Sequence, residues 1–273
     1  MLESNKTATV IVNWNGYADT IGCLYSLCKS GVDINDIIVV DNNSTNNSIK
    51  EIREHFPRVN IIESDINGGF SYGCNLGIKY ALIHNYSFVW LLNNDTLVLP
   101  DTLSKMVSYA NDTGAKIVGC TVRDIAFPYN LQLLGGGFVN FFNGTTQLNL
   151  KEDAAGMTFI SGASMLVRSE IFSDIGLFDE GYTMYWEDVE FCVRAKRHGH
   201  SLGAAFDALV LHKEGGSVGR RSLLKARYIT LSTRRFFRQT TKLWLLPVMY
   251  QQLGRSIMSI KRGEYEYLQV IWL

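Results

Sequence analysis

Several things the sequence lacks narrow its function before any motif is read. The five cysteines (Cys23, Cys28, Cys74, Cys120 and Cys192) are odd in number and contain no C-x-x-C pair. That argues against a disulfide framework and against a cysteine zinc site, and it fits a reducing compartment. No stretch approaches the roughly 18 apolar residues of a membrane-spanning helix, and the polar start up to Thr7 carries no signal-peptide pattern. No G-x-G-x-x-G follows the first apolar run, which argues against a dinucleotide dehydrogenase. No G-x-x-x-x-G-K-[ST] is present either, which excludes a P-loop phosphate cradle. The expectation is a cytoplasmic, soluble chain.

Acid is missing from one segment. Residues 218–262 carry eleven Lys or Arg and no Asp or Glu, whereas residues 1–217 hold 15 basic residues against 24 acidic ones. The net charge of zero therefore conceals an acidic body and a basic tail. The tail is interleaved with Phe236, Phe237, Trp244, Leu245, Leu246 and Tyr250. Two readings stay open: a helix on an anionic membrane surface, or a solvated helix whose apolar side packs on the body. The run Val270-Ile271-Trp272-Leu273 stops without polar closure, and a truncated chain is expected.

With 47% apolar and 19% charged residues over 273 positions, the chain is globular and long enough for a sizeable core. Its first half alternates β-branched runs with helical patterns. Strands are expected at Thr9–Val12, Ile37–Val40, Val59–Ile62 and Phe88–Leu92. Helices are expected over Tyr17–Ser30, Ser48–His55 and Asn75–Ile83, with another near Pro100. Continuous apolar strands between helices indicate a parallel sheet covered on both faces, an open α/β fold of Rossmann type. Further on, Phe159–Val167 reads as a strand, Glu187–His198 as a helix, and the residues beyond Ser222 as basic helices.

Ligands of such sheets bind beyond the carboxyl ends of the strands. Those ends here read Asn13-Trp14-Asn15-Gly16, Asp41-Asn42-Asn43-Ser44, Asp65-Ile66-Asn67-Gly68-Gly69-Phe70 and Asn93-Asn94-Asp95-Thr96. Asn, Asp and Gly are ordinary turn residues and caps, but four converging ends of this kind favour a site. If phosphate binds without a glycine loop, a divalent metal held by Asp95 is the economical way to neutralise it. A second cluster, Trp186-Glu187-Asp188-Val189-Glu190, puts three carboxylates at a helix start. They complement the helix dipole and could also deprotonate an acceptor hydroxyl. His212 precedes the glycine-rich turn Gly215-Gly216-Ser217.

Taken in order, these motifs resemble the inverting family 2 glycosyltransferases of GT-A fold, especially their bacterial rhamnosyltransferase-like branch. The matching residues are Val10–Asn15, Val39–Ser44, Asn67–Phe70 with Asn75, Leu91–Thr96, Ser161-Gly162-Ala163, Phe178-Asp179-Glu180, Trp186-Glu187-Asp188, and His212 with Gly215. They span roughly residues 7–220. The resemblance implies a Rossmann-like mixed, mostly parallel sheet flanked by helices, with a transferase domain over residues 1–217. Residues 218–273 would form a basic amphipathic helical extension.

It also implies roles. Asp41 would bind the nucleoside of a sugar-nucleotide donor, with Asn13, Asn15, Asn43, Asn67, Gly69, Asn75, Asn94, Asp95 and Arg220 completing the donor site. Asp95 and His212 would hold Mg or Mn at the position of the family's D-x-D motif. Asn93 stands where the strict motif has its first Asp, so metal dependence is left open. Asp188 would be the catalytic base, supported by Glu187, and Gly215–Arg221 a lid. The implied reaction moves a sugar, first choice L-rhamnose from dTDP-L-rhamnose, to a hydroxyl of a polysaccharide or polyprenyl-linked acceptor, which would explain a basic tail at the inner face of the cytoplasmic membrane. A glycosidase is disfavoured because adjacent Glu187 and Asp188 cannot flank one bond. A nucleotidyltransferase is disfavoured because the first strand lacks a glycine-rich loop with a basic residue. Nothing on the body supports nucleic-acid binding. The non-enzyme rival is an inactive sugar-nucleotide or glycan-binding module, from which the base should be missing.

Overall fold

A computed structural model describes residues 6–213 and 222–272 of the chain. The amino-terminal half is a βα-repeat: β1 (Thr7–Asn13), α1 (Tyr17–Lys29), β2 (Ile37–Asp41), α2 (Ser48–His55), β3 (Asn60–Glu63), α3 (Gly69–Ile83) and β4 (Phe88–Asn93). Strands β1, β2 and β4 are apolar and almost wholly buried, as strands covered on both faces must be. Helix α3 packs close on β1 because it presents glycines there. A Cβ at Gly77 would stand 2.3 Å from Val10 Cγ1, and one at Gly73 2.7 Å from Val12 Cγ1.

The chain continues through β5 (Thr96–Val98), α4 (Thr102–Thr113), β6 (Ile117–Asp124), β7 (Leu131–Leu134), β8 (Gly136–Asn140), β9 (Thr145–Leu148), β10 (Phe159–Ile160), β11 (Ser164–Arg168), α5 (Glu170–Ile175), α6 (Glu187–Arg197) and β12 (Leu202–His212). The main sheet has nine strands in the order β3-β2-β1-β4-β11-β6-β12-β5, with β7 paired to β6. Strands β1 to β4, β6 and β12 run one way; β5, β7 and β11 run the other. The sheet is thus mixed and mostly parallel, as the resemblance implies, and its amino-terminal strands β1 to β4 are mutually parallel, as their apolar runs indicate. Strands β10, β8 and β9 form a separate small antiparallel sheet.

Two expected elements differ in the structure. The helix expected from Asn75 begins at Gly69, because Gly69 takes a positive φ of 86° that lets the chain enter the helix beneath residue 183. The single strand expected over Phe159–Val167 is divided between the two sheets. Its middle, Ser161 to Ala163, turns a corner closed by Ser164 N–H donating to the Ser161 carbonyl.

The basic tail folds as α7 (Leu223–Thr240), α8 (Leu245–Arg262) and α9 (Glu266–Ile271). Ser222 caps α7, its hydroxyl accepting from Lys225 N–H at 3.1 Å. The apolar side of α7 packs on the body. Phe236 and Phe237 are fully buried, with ring centroids 4.8 and 5.6 Å from Trp186. Burying two such rings is worth about 1.5–3 kcal/mol each. Arg235 forks onto Asp179 at 2.8 and 3.0 Å, and Ser232 Oγ donates to the Met184 carbonyl. Helix α7 therefore clamps the 179–186 loop that leads into α6.

Candidate active site

The strand order reverses at β1, which lies between β2 and β4. A crevice opens at such a reversal, beyond the carboxyl ends of the strands. Register places Asn13 beside Asp41 and Val12 beside Asn93, so two of the Asn/Asp-rich ends meet at this point.

At the first wall of the crevice, Asp41 is buried and accepts from Asn13 Nδ2 at 2.7 Å, Ser44 N–H at 2.8 Å and Ser44 Oγ at 2.7 Å. Asn13 Oδ1 accepts in turn from Thr20 Oγ1 at 2.8 Å. Asn15 and Asn43 have left-handed backbones, with φ of 55° and 62°, which asparagine tolerates better than most residues. Asn15 Oδ1 accepts from Thr45 N–H at 2.8 Å and ties the first loop to the second. Asn42 Nδ2 bridges to Asn67 Oδ1 and the Gly69 carbonyl, both at 3.0 Å, which ties the second loop to the third.

At the β4 end, His212 Nε2 lies 3.3 Å from Asp95 Oδ1 and 3.3 Å from Asn93 Nδ2. Antiparallel pairing of β12 with β5 brings His212 opposite Thr96 and so delivers it to this end. Gln132 Oε1 accepts from His212 Nδ1 at 2.9 Å, while Gln132 Nε2 donates to the His212 carbonyl at 2.9 Å. The proton on Nδ1 leaves the Nε2 lone pair facing a carboxylate oxygen. Asn93 Nδ2 can donate to that lone pair, and a shared cation would answer both the lone pair and the carboxylate. Two ligands of one hard cation at ~2.1 Å stand about 3 Å apart, so the Asp95–His212 spacing fits a divalent metal. Among the described residues no third His, Cys, Asp or Glu joins them. Mg and Mn sites on phosphate substrates commonly use one or two protein ligands and complete their shell from the phosphates and water.

The opposite wall is the start of α6. Tyr185 and Trp186 both have positive φ, 68° and 70°, a conformation costly for aromatic residues. This kink buries Glu187 and sets Asp188 towards the 161–163 corner. Gly162 N–H donates to Asp188 Oδ2 at 2.9 Å, and Val189 N–H donates to Oδ1 at 2.8 Å. Glu187 Oε2 is buried without a hydrogen-bond partner. Burial, and then the neighbouring Asp188, push the Glu187 carboxyl from 4.5 up to about 8. Burial also raises Asp188, while the Gly162 and Val189 amides pull it back. Burial thus favours the proton on both carboxyls, most strongly on Glu187, whose buried oxygen has no partner, while two amides hold the Asp188 carboxylate.

The corner joins the two halves. Gly162 holds Asp188, and the carbonyl of the next residue, Ala163, accepts from Asn93 N–H at 3.1 Å. Gly69 also belongs here: Phe70 N–H donates to the Thr183 carbonyl at 2.9 Å, so the third loop braces the kink before α6.

The structure gathers Asn13, Asn15, Asp41, Asn43, Asn67, Gly69, Asn94, Asp95, Glu187, Asp188 and His212 around these loops. Many of the asparagine amides hold loop to loop. Asn94 Nδ2, for one, donates to Thr20 Oγ1 at 3.1 Å. Asn75 lies inside α3, where its amide is spent on the Phe178 backbone and on Glu180 Oε1. Arg220 and the expected lid Gly215–Arg221 lie outside the described residues. Sequence reasoning missed Gln132, Ser44 and Thr20 as site residues. Only Ser44 carried a signal, as the last residue of a quoted strand end.

A Rossmann-like mixed sheet with a reversal-point crevice, a carboxylate–histidine pair on one wall and a buried Glu187 beside a half-buried Asp188 on the other defines a transferase of the GT-A fold. The chain belongs to glycosyl transferase family 2, whose family model matches residues 9–176. The matched span contains Asp41 and Asp95 and ends before Asp188 and His212. The chain is similar to the low-salt glycan biosynthesis hexosyltransferase Agl10 of Haloferax volcanii. The two are 28% identical over 216 residues, which cover 75% of this chain and 66% of that one. It is also similar to the dTDP-rhamnosyl transferase RfbF of Shigella flexneri, 25% identical over 220 residues that cover 78% of this chain and 71% of that one. Among solved structures, the mannosyltransferase PcManGT from Pyrobaculum calidifontis in complex with GDP-Man and Mn2+ superposes with a TM-score of 0.63. It covers 97% of this chain and 73% of that one at 13% identity, a likeness of fold.

Proposed function

We propose that the chain is an inverting glycosyltransferase that moves a sugar from a nucleoside diphosphate donor to a hydroxyl of a cell-surface polysaccharide or lipid-linked oligosaccharide. The first choice of donor is dTDP-L-rhamnose. What carries the reading is the 161–163 corner, which links a half-buried, amide-held Asp188 to the β4 end where Asp95 and His212 meet. The rhamnosyl donor is supported by the Shigella relative, and the glycan acceptor by the Haloferax one. Residues 1–217 are read as the transferase domain and 218–273 as an extension that buttresses it.

In this reading Asp41, aligned by Asn13 and Ser44, receives the nucleoside. Asp95 and His212 hold a divalent cation, Mg or Mn, and when bound that ion supplies charge neutralisation for the departing diphosphate. Asp188 accepts the acceptor hydroxyl proton while the acceptor oxygen bonds to the anomeric carbon. The bond from that carbon to the diphosphate breaks on the opposite face, and configuration inverts. Burial raises the affinity of Asp188 for the proton it must take, and Glu187, neutral beside it, adds no second charge.

The test is nucleotide release over a panel of dTDP-, UDP- and GDP-sugars with an oligosaccharide acceptor, in Mn, Mg or EDTA. Release should occur from one donor, with Asp188→Asn lowering turnover by about 10²–10⁴-fold at unchanged donor affinity. Absence of both turnover and any donor-induced rise in melting temperature would overturn the reading.

A further inference from the structure

Helix α8 is built inside out. Its outward stripe is Leu246, Met249, Tyr250, Leu253, Ile257 and Ile260, spaced at three and four residues and each between 48% and 56% exposed. Its inward side, beyond the buried Pro247 and Val248 of its first turn, is polar. Gln251 Nε2 donates to the Gly144 carbonyl, Gln252 Nε2 to the Ile271 carbonyl at 2.8 Å, and Arg255 to Thr230 Oγ1 and the Ala226 carbonyl at 2.8 and 3.0 Å. Ser256 Oγ accepts from Trp272 Nε1 at 2.9 Å. These bonds to α7, α9 and the β8–β9 turn fix the helix's rotation, so the apolar stripe faces solvent because polar groups hold the other side.

The stripe runs about 21 Å along the helix. It is widened by Phe142 at the tip of the β8–β9 turn, 77% exposed, whose ring lies 6.5 Å from that of Tyr250. A continuous apolar face of this size on a water-soluble surface calls for a partner. Charge identifies the partner's chemistry. Arg238 and Lys242 stand before α8, Lys261 and Arg262 close it, all four are exposed, and no Asp or Glu occurs in residues 218–262. A second copy docked on this face would set cations against cations in either orientation, and the nearest carboxylates in sequence, Glu264 and Glu266, lie past the end of the helix. An anionic lipid surface satisfies both demands: acyl chains receive the stripe and phosphates receive the flanking cations.

We propose that α8, with Phe142, is a monotopic docking surface for anionic phospholipid bilayers. The two readings of the basic tail are then divided between two helices, α7 packing on the body and α8 lying on the membrane. No helix among the described residues is long and apolar enough to cross a membrane. Because α7 also clamps the loop leading to Asp188, docking would hold the acceptor side of the site at a fixed orientation to the bilayer. The inference stands apart from the transferase reading, since vesicle binding is scored without donor or acceptor.

The experiment is flotation of the full chain with vesicles of phosphatidylcholine alone or mixed equally with phosphatidylglycerol. The wild-type chain should float with the anionic vesicles, less so at raised salt, and stay down with the neutral ones. Leu253→Glu with Ile257→Glu should lower anionic-vesicle affinity by at least about tenfold at unchanged melting temperature, because both side chains already face water. If that pair impairs folding, Leu253→Ser with Ile257→Ser reads the same surface. Neutralising Lys261 and Arg262 to Gln should cost about fivefold per charge. Failure of the wild-type chain to float, or flotation of a folded stripe variant like wild type, overturns the proposal. So does light scattering that shows a wild-type dimer and a monomeric stripe variant without vesicle binding.

Discussion

Gln132 holds His212 at two points, donating to its backbone carbonyl and accepting from its ring Nδ1, both at 2.9 Å. The first bond orients the amide, and the second therefore fixes the ring tautomer, presenting Nε2 to Asp95. Outer partners of this kind typically account for 10–100-fold in metal affinity. Gln132→Met keeps the volume and removes both bonds. Mn2+ titrated in the presence of a nucleoside diphosphate, followed by electron paramagnetic resonance, should bind about 10–100-fold more weakly to the variant. Unchanged Mn2+ binding would mean that His212 is not a ligand.

Glu187 gives a pH signature of stability. A carboxyl whose folded-state value lies above its unfolded value holds its proton more tightly when folded. Its contribution is complete below about 4.5 and is lost as pH rises through about 8. Glu187→Gln keeps a neutral side chain at every pH. Denaturant melts should show little difference between variant and wild type at pH 4. The variant should gain on the order of a few kcal/mol above pH 8, where the wild-type chain must bury a charge with no partner. A stability difference independent of pH would place the proton elsewhere.

Much of the fold could be read from residue order. The β-branched runs give β1 to β4, α2 spans Ser48–His55 as periodicity indicates, and the acidic start of α6 falls at Glu187. The limits of that reading are physical. Strands β5 and β7 to β10 are two to five residues long and take their order from antiparallel partners, which leaves no periodic trace. Strand β12 is rich in alanine and shifts register between Ala205 and Leu209. The site was legible as strand ends but not as bonds. Composition could mark Asn13 and Asn42 as unusual, yet whether an amide faces a ligand or a neighbouring loop depends on register. Gln132 had no local signal, because its partner lies 80 residues away. The outward face of α8 was equally hidden. Its periodicity fits an amphipathic helix, and burial of Val248 with the polar bonds of Gln252 and Arg255 shows which side points in.

Gly69 is the most constrained point of the donor-side loops. Its φ of 86° disfavours any side chain, and a Cβ there would stand 2.5 Å from the Thr183 carbonyl oxygen. Gly69→Ala must move the 183 backbone, which braces the kink at Tyr185 and Trp186. A stability loss of about 1–3 kcal/mol in urea melts is expected. Turnover should fall further than stability alone explains, because Asp188 loses its alignment. Wild-type turnover in a stably folded variant would show that the brace is dispensable.

Asn13 separates contact from positioning. It is wholly buried, and its amide nitrogen spends its bonds on Asp41 Oδ2 at 2.7 Å and Ser44 Oγ at 3.1 Å, so it reaches a nucleoside only through its neighbours. Asn13→Ala removes a hydrogen bond to a buried carboxylate and should destabilise the fold by about 1.5–3 kcal/mol. Calorimetric titration with nucleoside diphosphate then distinguishes the two roles. If Asn13 acts by aligning Asp41, Asn13→Ala weakens binding in the native background and has no further effect once Asp41 is Ala. The double variant should therefore bind like Asp41→Ala alone, with a coupling equal to the whole Asn13 effect. Additive losses would mean that Asn13 contacts the ligand itself, which its burial beneath Asp41 does not allow unless the loop opens.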